Sequence, residues 1–383
     1  MNFKHLQIDS LNVSKINKLF KTKFLILIAY SFFLIMPVHA TLYDDAEQYG
    51  VKSSIHKSTR TANGWYVYDS TPTGAVVNSV YDAIKQSHVI QFVGQVGSTA
   101  NGYVIGDWTP TSPGSWNNTS ELNVNWCSRY ANYFTVFMRI YVTNPITFTN
   151  RNGNTVTTYQ RYLTYRPVNT DHGINSTYPN YIYLGLGSDK SNDQWHSIQR
   201  NMLADLQKFE PGNTITSVTA FLVRGNGKVD DIELTAQSKQ PAITLKKTSK
   251  TIFDPINYHT HPKAIPGAVL EYTITANNSS NGAADNNSIK VDDKIPTNMK
   301  LCVSSTSQCV APNLSSTNNT SGLILTSIQY SNNNGATYTY NPVADTGGFD
   351  ALVTNVKYIF NKRFLGSCGL DRSIELKMRM GVK

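Results

Sequence analysis

The sequence predicts an all-β protein: two antiparallel β-sandwiches behind a targeting segment. Short apolar runs alternate with period two, as half-buried strands do. Gly, Asn and Pro turns separate the runs throughout. Of the 383 residues, 11% are aromatic, including 22 Tyr, and only 15% are charged, a composition suited to an exported sandwich protein. The length suffices for two domains, each with its own core. The expected boundaries are 1–40 for the targeting segment, 41–236 and 241–383 for the domains, and 237–240 for the linker.

Lys4, Lys15, Lys18, Lys21 and Lys23 form a basic opening, and residues 24–36 are apolar except for Ser31. That run is shorter than the roughly 20 residues that span a bilayer. Pro37 ends it, and Val38, His39 and Ala40 fit the small-x-small rule of a cleaved signal peptide. The expectation is export by the general secretory route to the periplasm, the cell surface or the medium, with no stable membrane span after cleavage. Five of the 34 basic residues and one of the 25 acidic ones fall in the first 40 positions. No Lys/Arg cluster remains beyond them, so nucleic acid is not an expected partner. Cys127, Cys302, Cys309 and Cys368 suit an oxidising compartment. Four cysteines allow three pairings. Cys302 and Cys309 are close enough for a local ring, whereas joining Cys127 to Cys368 needs the two domains packed together. There is no C-x-x-C to suggest structural zinc.

Within the first domain, Trp65 to Asp69 is an aromatic strand after a turn, and 75–81 and 87–93 are further strands. Trp108 and Trp116 flank a Pro/Gly/Ser/Asn-rich loop. In 133–142 the even positions are apolar and must be core. The odd ones, Tyr133, Thr135, Phe137, Arg139 and Tyr141, point the other way, and such a face is unusual for a solvated sheet. The strand 159–166 again mixes Tyr with Arg, ending at Arg166. In 181–186, Ile182, Leu184 and Leu186 face one side, leaving Tyr181 and Tyr183 on the other. Met202, Leu203, Leu206 and Phe209 have helical spacing, predicting one short helix over 201–209 closed by Pro211 and Gly212. Gly225, Asn226 and Gly227 then join two strands, 221–224 and 229–234, in a tight hairpin that closes the domain.

Sugar rings have apolar faces ringed by hydroxyls, so a glycan site wants flat aromatics with a few directed polar groups. Tyr133, Arg139, Tyr141, Arg166, Tyr181 and Tyr183 supply that chemistry, and Arg favours an acidic polysaccharide. The competing reading is cross-strand aromatic pairing that only stabilises the sheet. The acidic opening at Asp44, Asp45 and Glu47, the Gly64–Trp65 strand and the closing Asp230, Asp231, Ile232 resemble jelly-roll modules of the carbohydrate-binding type. That resemblance implies a jelly-roll β-sandwich whose first and last strands are neighbours. It also implies a structural calcium at their corner, with Asp44, Asp45, Glu47, Asp230 and Asp231 as candidate ligands; solvated strand-end carboxylates are the alternative.

In the second domain, 242–248 alternates cleanly. Pro266 and Gly267 make a turn before a strand running to Asn277, and the Asn-rich stretch beyond is expected to be a hairpin loop. The Lys247–Thr248 strand, the Pro266-Gly267 … Tyr272-x-Ile274 … Asn277 pattern and Asp293-x-Ile295-Pro296 resemble the immunoglobulin-like conserved repeat domain of bacterial and archaeal surface proteins. That family has no shared catalytic residues. His259 and His261 lack a third metal ligand, and the pairs Asp171/His172 and Trp195/His196 adjoin no nucleophile motif.

The reading that follows is an exported, non-enzymatic protein whose first domain binds a glycan and whose second is a spacer. A jelly-roll polysaccharide lyase or hydrolase is the first alternative. A glycosidase wants two opposed carboxylates, which the central strands lack, though Tyr and His can shuttle protons in a lyase. A purely structural surface or matrix protein is the second.

Overall fold

Strands carry nearly all the regular structure of this computed structural model, which describes residues 40–59, 64–95, 99–106, 116–306, 308–315 and 319–383. The targeting segment up to position 39, and Trp108, lie outside the described residues. The described chain is all-β, with two sheet-rich regions consistent with two β-sandwich-like domains.

The first region comprises β1 (Ala40–Asp44), β2 (Trp65–Asp69), β3 (Val76–Asp82), β4 (Ser87–Val93), β5 (Gly102–Gly106), β6 (Asn123–Arg129), β7 (Thr135–Thr149), β8 (Thr155–Arg166), β9 (Gly173–Ile174), β10 (Tyr181–Gly185), β11 (His196–Asn201), β12 (Ile215–Arg224) and β13 (Gly227–Thr235). One sheet has the order β11-β6-β13-β4-β3, with β1 also on β13; the other has the order β2-β5-β12-β7-β8-β10-β9. All pairings are antiparallel except β8 with β10. The core lies between the sheets. Trp126 meets the rings of Tyr165 and Phe221 at 5.7 and 5.8 Å, and Phe92 meets Trp65 and Tyr103 at 4.9 Å each. Val136, Met138 and Ile140 are fully buried there, as the even positions of β7 predict. The helix α1 (Met202–Gln207) is capped by Asn201, whose side chain accepts the Ala204 N–H at 2.9 Å.

Two expectations change. The turn at 225–227 is real, with φ 107° at Gly225, but it is not a hairpin: β12 belongs to one sheet and β13 to the other. The chain turns a corner because both strands bury apolar residues from opposite sides of one core. A Cβ at Gly227 would meet the Tyr130 ring at 2.2 Å, so the corner has no room for a side chain. In addition, β7 does not end at Val142. It continues with β8 as a ribbon, tied by Thr147 and Thr157 hydroxyls 2.8 Å apart and turned at Asn150, whose side chain accepts two backbone N–H groups.

The second region comprises β14 (Ile243–Phe253), β15 (Val269–Asn278), β16 (Lys290–Lys294), β17 (Met299–Cys302), β18 (Asn313–Leu314), β19 (Ile324–Ser331), β20 (Phe349–Asp350), β21 (Asn355–Asn361) and β22 (Ser373–Val382). One sheet runs β14-β15-β22-β17-β20, with β18 on β22, and the other runs β16-β21-β19. Ile274, Leu376 and Met378 of the first pack against Val356, Tyr358 and Phe360 of the second. The Asn-rich stretch is again a crossing between sheets rather than a hairpin loop. Buried Asn278 pins it, donating to the Gly282 and Leu365 carbonyls at 2.8 and 2.9 Å. The alternation in β14 does not produce burial: its first eight residues are exposed, because the strand is a sheet edge reaching past the core.

The second region docks on the outer face of the β11-β6-β13-β4-β3 sheet. Cys127 of β6 is disulfide-bonded to Cys368, and Cys302 to Cys309. Around the first bridge pack Val89 and Trp195, with Val80 and Leu370 at the edge. Arg372 donates to the Trp195 carbonyl at 2.8 Å, and Ser197 to the Asn281 carbonyl at 2.6 Å. His196, beside them, is 9% exposed and hydrogen-bonded to Asn192 at 2.8 Å.

Two outcomes are expected. The Cys127–Cys368 bridge closes a 241-residue separation, so replacing both cysteines by Ser should cost about 2–5 kcal/mol in urea unfolding. Burial lowers the His196 imidazole from 6.5 to about 4. The unfolded chain therefore binds more protons between those values, and this residue's contribution is lost as pH falls from about 6.5 through 4. Urea melts across that window should show a shallower loss for His196→Gln than for the parent chain.

Candidate functional site: the outer face of the seven-stranded sheet

Period two places one residue of each pair on the core side and its neighbour on the outer side. On β2, Trp65 enters the core, so Tyr66 and Tyr68 face outward. On β12, Phe221 and Val223 enter the core, so Ala220, Leu222 and Arg224 face outward. Strand β7 contributes Phe137, Arg139 and Tyr141, β8 contributes Tyr162, Thr164 and Arg166, and β10 contributes Tyr181 and Tyr183. Register then aligns them: Tyr181 lies opposite Tyr162, Arg139 opposite Tyr162 on the other side, and Phe137 opposite Leu222.

The result is an aromatic array at the middle of the sheet. Tyr162 and Tyr181 stack at 4.6 Å and 15°, and Phe137 presents an edge to both at 6.5 and 6.3 Å. Val104, Leu222 and Ala220 floor the array, with Tyr66 and Tyr68 packed alongside. Cations flank it. Arg224 lies 5.3 Å from the Tyr68 ring, held by Asp69 at 2.8 Å, and Arg166 lies 4.1 Å from the Tyr183 ring. Gln160 donates to the Tyr162 hydroxyl at 3.1 Å, and Asn175 to the Tyr183 hydroxyl at 3.2 Å. Burial pushes the Tyr68 phenol up to about 12 and raises those of Tyr162 and Tyr181.

The sequence-predicted ligand residues are placed unequally. Tyr141, Arg166, Tyr181 and Tyr183 are half-buried on this face. Arg139 is on it but wholly buried, its Nε donating to Thr219 Oγ1 at 2.8 Å. Tyr133 precedes β7, 45% exposed, at the end of the sheet beside the Gly225 corner. Sequence reasoning missed Tyr66, Tyr68, Tyr162 and Arg224. The alternation in Trp65 to Asp69 carried the signal for the first two; the others needed the register between distant strands.

In the acidic corner each of the five carboxylates has a partner within the protein. β1 does pair with β13, setting Asp44 opposite Ile232. Asp44 is buried and accepts hydrogen bonds from Trp65 Nε1 and the Ala46 N–H, both at 2.8 Å. Glu47 pairs with His88 at 2.9 Å. Asp230 and Asp231 both engage Lys85, while Asp45 accepts the Glu47 N–H at 3.2 Å. Burial pushes the Asp230 carboxyl up to about 7 against the pull of Lys85. Among the described residues no group of three or more His, Cys, Asp or Glu side chains could hold a metal ion. Asp171 accepts the Gly185 N–H at 2.7 Å and Lys208 Nζ at 2.6 Å, fixing a loop. A polar cleft of about 480 Å³ lies between the two regions, lined by Gln199, Lys239, Asn281, Asp285 and Arg363 among others.

No protein-family model and no curated protein matches this chain. Several solved structures match it at low identity and low TM-score. A family 30 carbohydrate-binding module is 13% identical at a TM-score of 0.24, covering 51% of this chain and 93% of its own. The family 30 module of a Clostridium thermocellum cellulosomal cellulase is 13% identical at 0.25, covering 53% and 100%. A CBM22 tandem domain from Paenibacillus barcinonensis is 8% identical at 0.22, covering 90% and 98%.

The array is also a packed cluster. Tyr162 is 8% exposed and contacts two rings, so Tyr162→Ala should cost about 3 kcal/mol in urea unfolding. Tyr183→Ala, at a half-buried position, should cost about 1 kcal/mol in the same measurement.

Proposed function

We propose that this is an exported, non-catalytic glycan-binding protein whose ligand lies on the outer face of the seven-stranded sheet. The observation that carries the proposal is the stacked Tyr162–Tyr181 pair with a cation on each flank, Arg224 over Tyr68 and Arg166 over Tyr183. Flat rings accept the apolar face of a pyranose, and guanidinium groups accept a carboxylate or sulfate beside it. The ligand is therefore an acidic polysaccharide. Tyr66, Tyr68, Phe137, Tyr141, Tyr181 and Tyr183 form the platform, Arg139 supports it from beneath, and Tyr133 extends it at the margin.

A binding role fits better than hydrolysis. Among the described residues the face offers one carboxylate, Asp69, already held by Arg224, where a glycosidase needs an opposed pair. The first region is read as a jelly roll, and the second as an immunoglobulin-like spacer docked on the opposite sheet. Export agrees with the pairing of all four cysteines in disulfides. No helix among the described residues is long and apolar enough to cross a membrane.

Affinity electrophoresis in gels containing polygalacturonate or neutral xylan tests this. Retardation is expected in polygalacturonate and not in xylan. Tyr181→Ala or Arg166→Ala should each weaken it about tenfold, roughly 1.4 kcal/mol. Equal mobility in both gels and in buffer alone would reject the proposal.

A further inference from the structure

A buried ion pair at the junction lies apart from the glycan face. Lys85, in the turn between β3 and β4, and Asp230, on β13, have side chains 2% and 1% exposed. Lys85 Nζ is in direct contact with Asp230 Oδ2. Asp231 Oδ2 lies 3.1 Å from the same nitrogen, and Ser87 Oγ donates to Asp230 Oδ2 at 3.3 Å. The Trp195 ring sits 5.2 Å from Nζ and walls the site. Two successive carboxylates reach one amine because the strand is irregular there: the β13–β6 register shifts between Asp230 and Glu233, and Asp231 has φ 51°. A regular strand would send them to opposite faces, and a non-glycine residue with positive φ is uncommon.

We propose that Lys85 and Asp230 condense into an intramolecular amide, a self-formed cross-link between the β3–β4 turn and β13, with Asp231 as the proton carrier. Asp231 takes a proton from the Lys85 ammonium, freeing the nitrogen lone pair, and passes it to the Asp230 carboxylate. Nζ attacks Asp230 Cγ, and the N–C bond forms as the carbonyl π bond opens onto oxygen. Asp231 then takes a second proton from the attached nitrogen and delivers it to the departing hydroxyl; the carbonyl re-forms as the C–O bond breaks, and one water leaves. Nothing is oxidised or reduced, and no co-reactant is needed. Groups held in contact have effective concentrations on the order of 10⁵ M or more. The product replaces two desolvated charges by one neutral amide, removing the penalty of a buried ion pair. Asp230 lies opposite Cys127 in register. The cross-link therefore adjoins the Cys127–Cys368 bridge and, unlike that bridge, survives a reductant.

The test is mass spectrometry of the full purified chain, reduced and denatured, followed by trypsin digestion. A chain one water lighter than its sequence is expected. Trypsin should fail to cut after Lys85 and should yield a branched peptide joining Lys85 to Asp230. Lys85→Met should show the unaltered mass. Asp231→Ala, which keeps both reacting groups, should show the unaltered mass with a parental circular dichroism spectrum. A parent chain of full mass that is cut after Lys85 would overturn the proposal. So would a water loss confined to the Asp230 peptide alone, which is cyclisation of that side chain. Complete cross-linking in Asp231→Ala would overturn its role as proton carrier.

Discussion

The junction on the outer face of the β11-β6-β13-β4-β3 sheet is the constraint on which the rest of the architecture depends. There Cys127 meets Cys368, Trp195 covers the bridge, and Lys85 is enclosed with Asp230 and Asp231. A sandwich has two outer faces, and this contact commits one of them to the second region. The aromatic array lies on the other. The two faces differ in chemistry as this division requires. The docking face buries a disulfide, small polar groups and a paired lysine. The opposite face gathers tyrosines and arginines from five strands, separated in sequence by as much as Tyr66 and Arg224.

Much of this was legible in the chain. The even positions of 133–142 had to be core, and they are. The same logic set Tyr181 and Tyr183 opposite Ile182 and Leu184. The helix at 202–207 was visible from the spacing of Met202, Leu203, Leu206 and Phe209. What was not legible depended on pairing. Strand neighbours in sequence need not be neighbours in a sheet, so the turn at Gly225 read as a hairpin although it is a corner. The stacking of Tyr162 on Tyr181 follows from a parallel pairing of β8 with β10 that no local pattern announces. The acidic corner shows the same limit: the jelly-roll resemblance could bring β1 beside β13, but not show that Trp65, His88 and Lys85 would each take a carboxylate.

In the proposed function, the array combines stability and recognition in one set of side chains. Tyr162 and Leu222 are almost wholly buried, and their rings and methyls hold the sheet face together. Tyr181, Tyr183 and Arg166, half-buried around them, keep surface for a ligand. A platform whose rings are fixed by one another loses little conformational entropy on binding, so a preformed array favours affinity.

The most direct measurement is a crystal structure of the protein with an oligogalacturonate. The account predicts a sugar ring stacked against Tyr181 or Tyr183, with its carboxylate on Arg166 or Arg224. A sugar seated instead in the cleft between the two regions, against Lys239 and Arg363, would contradict it.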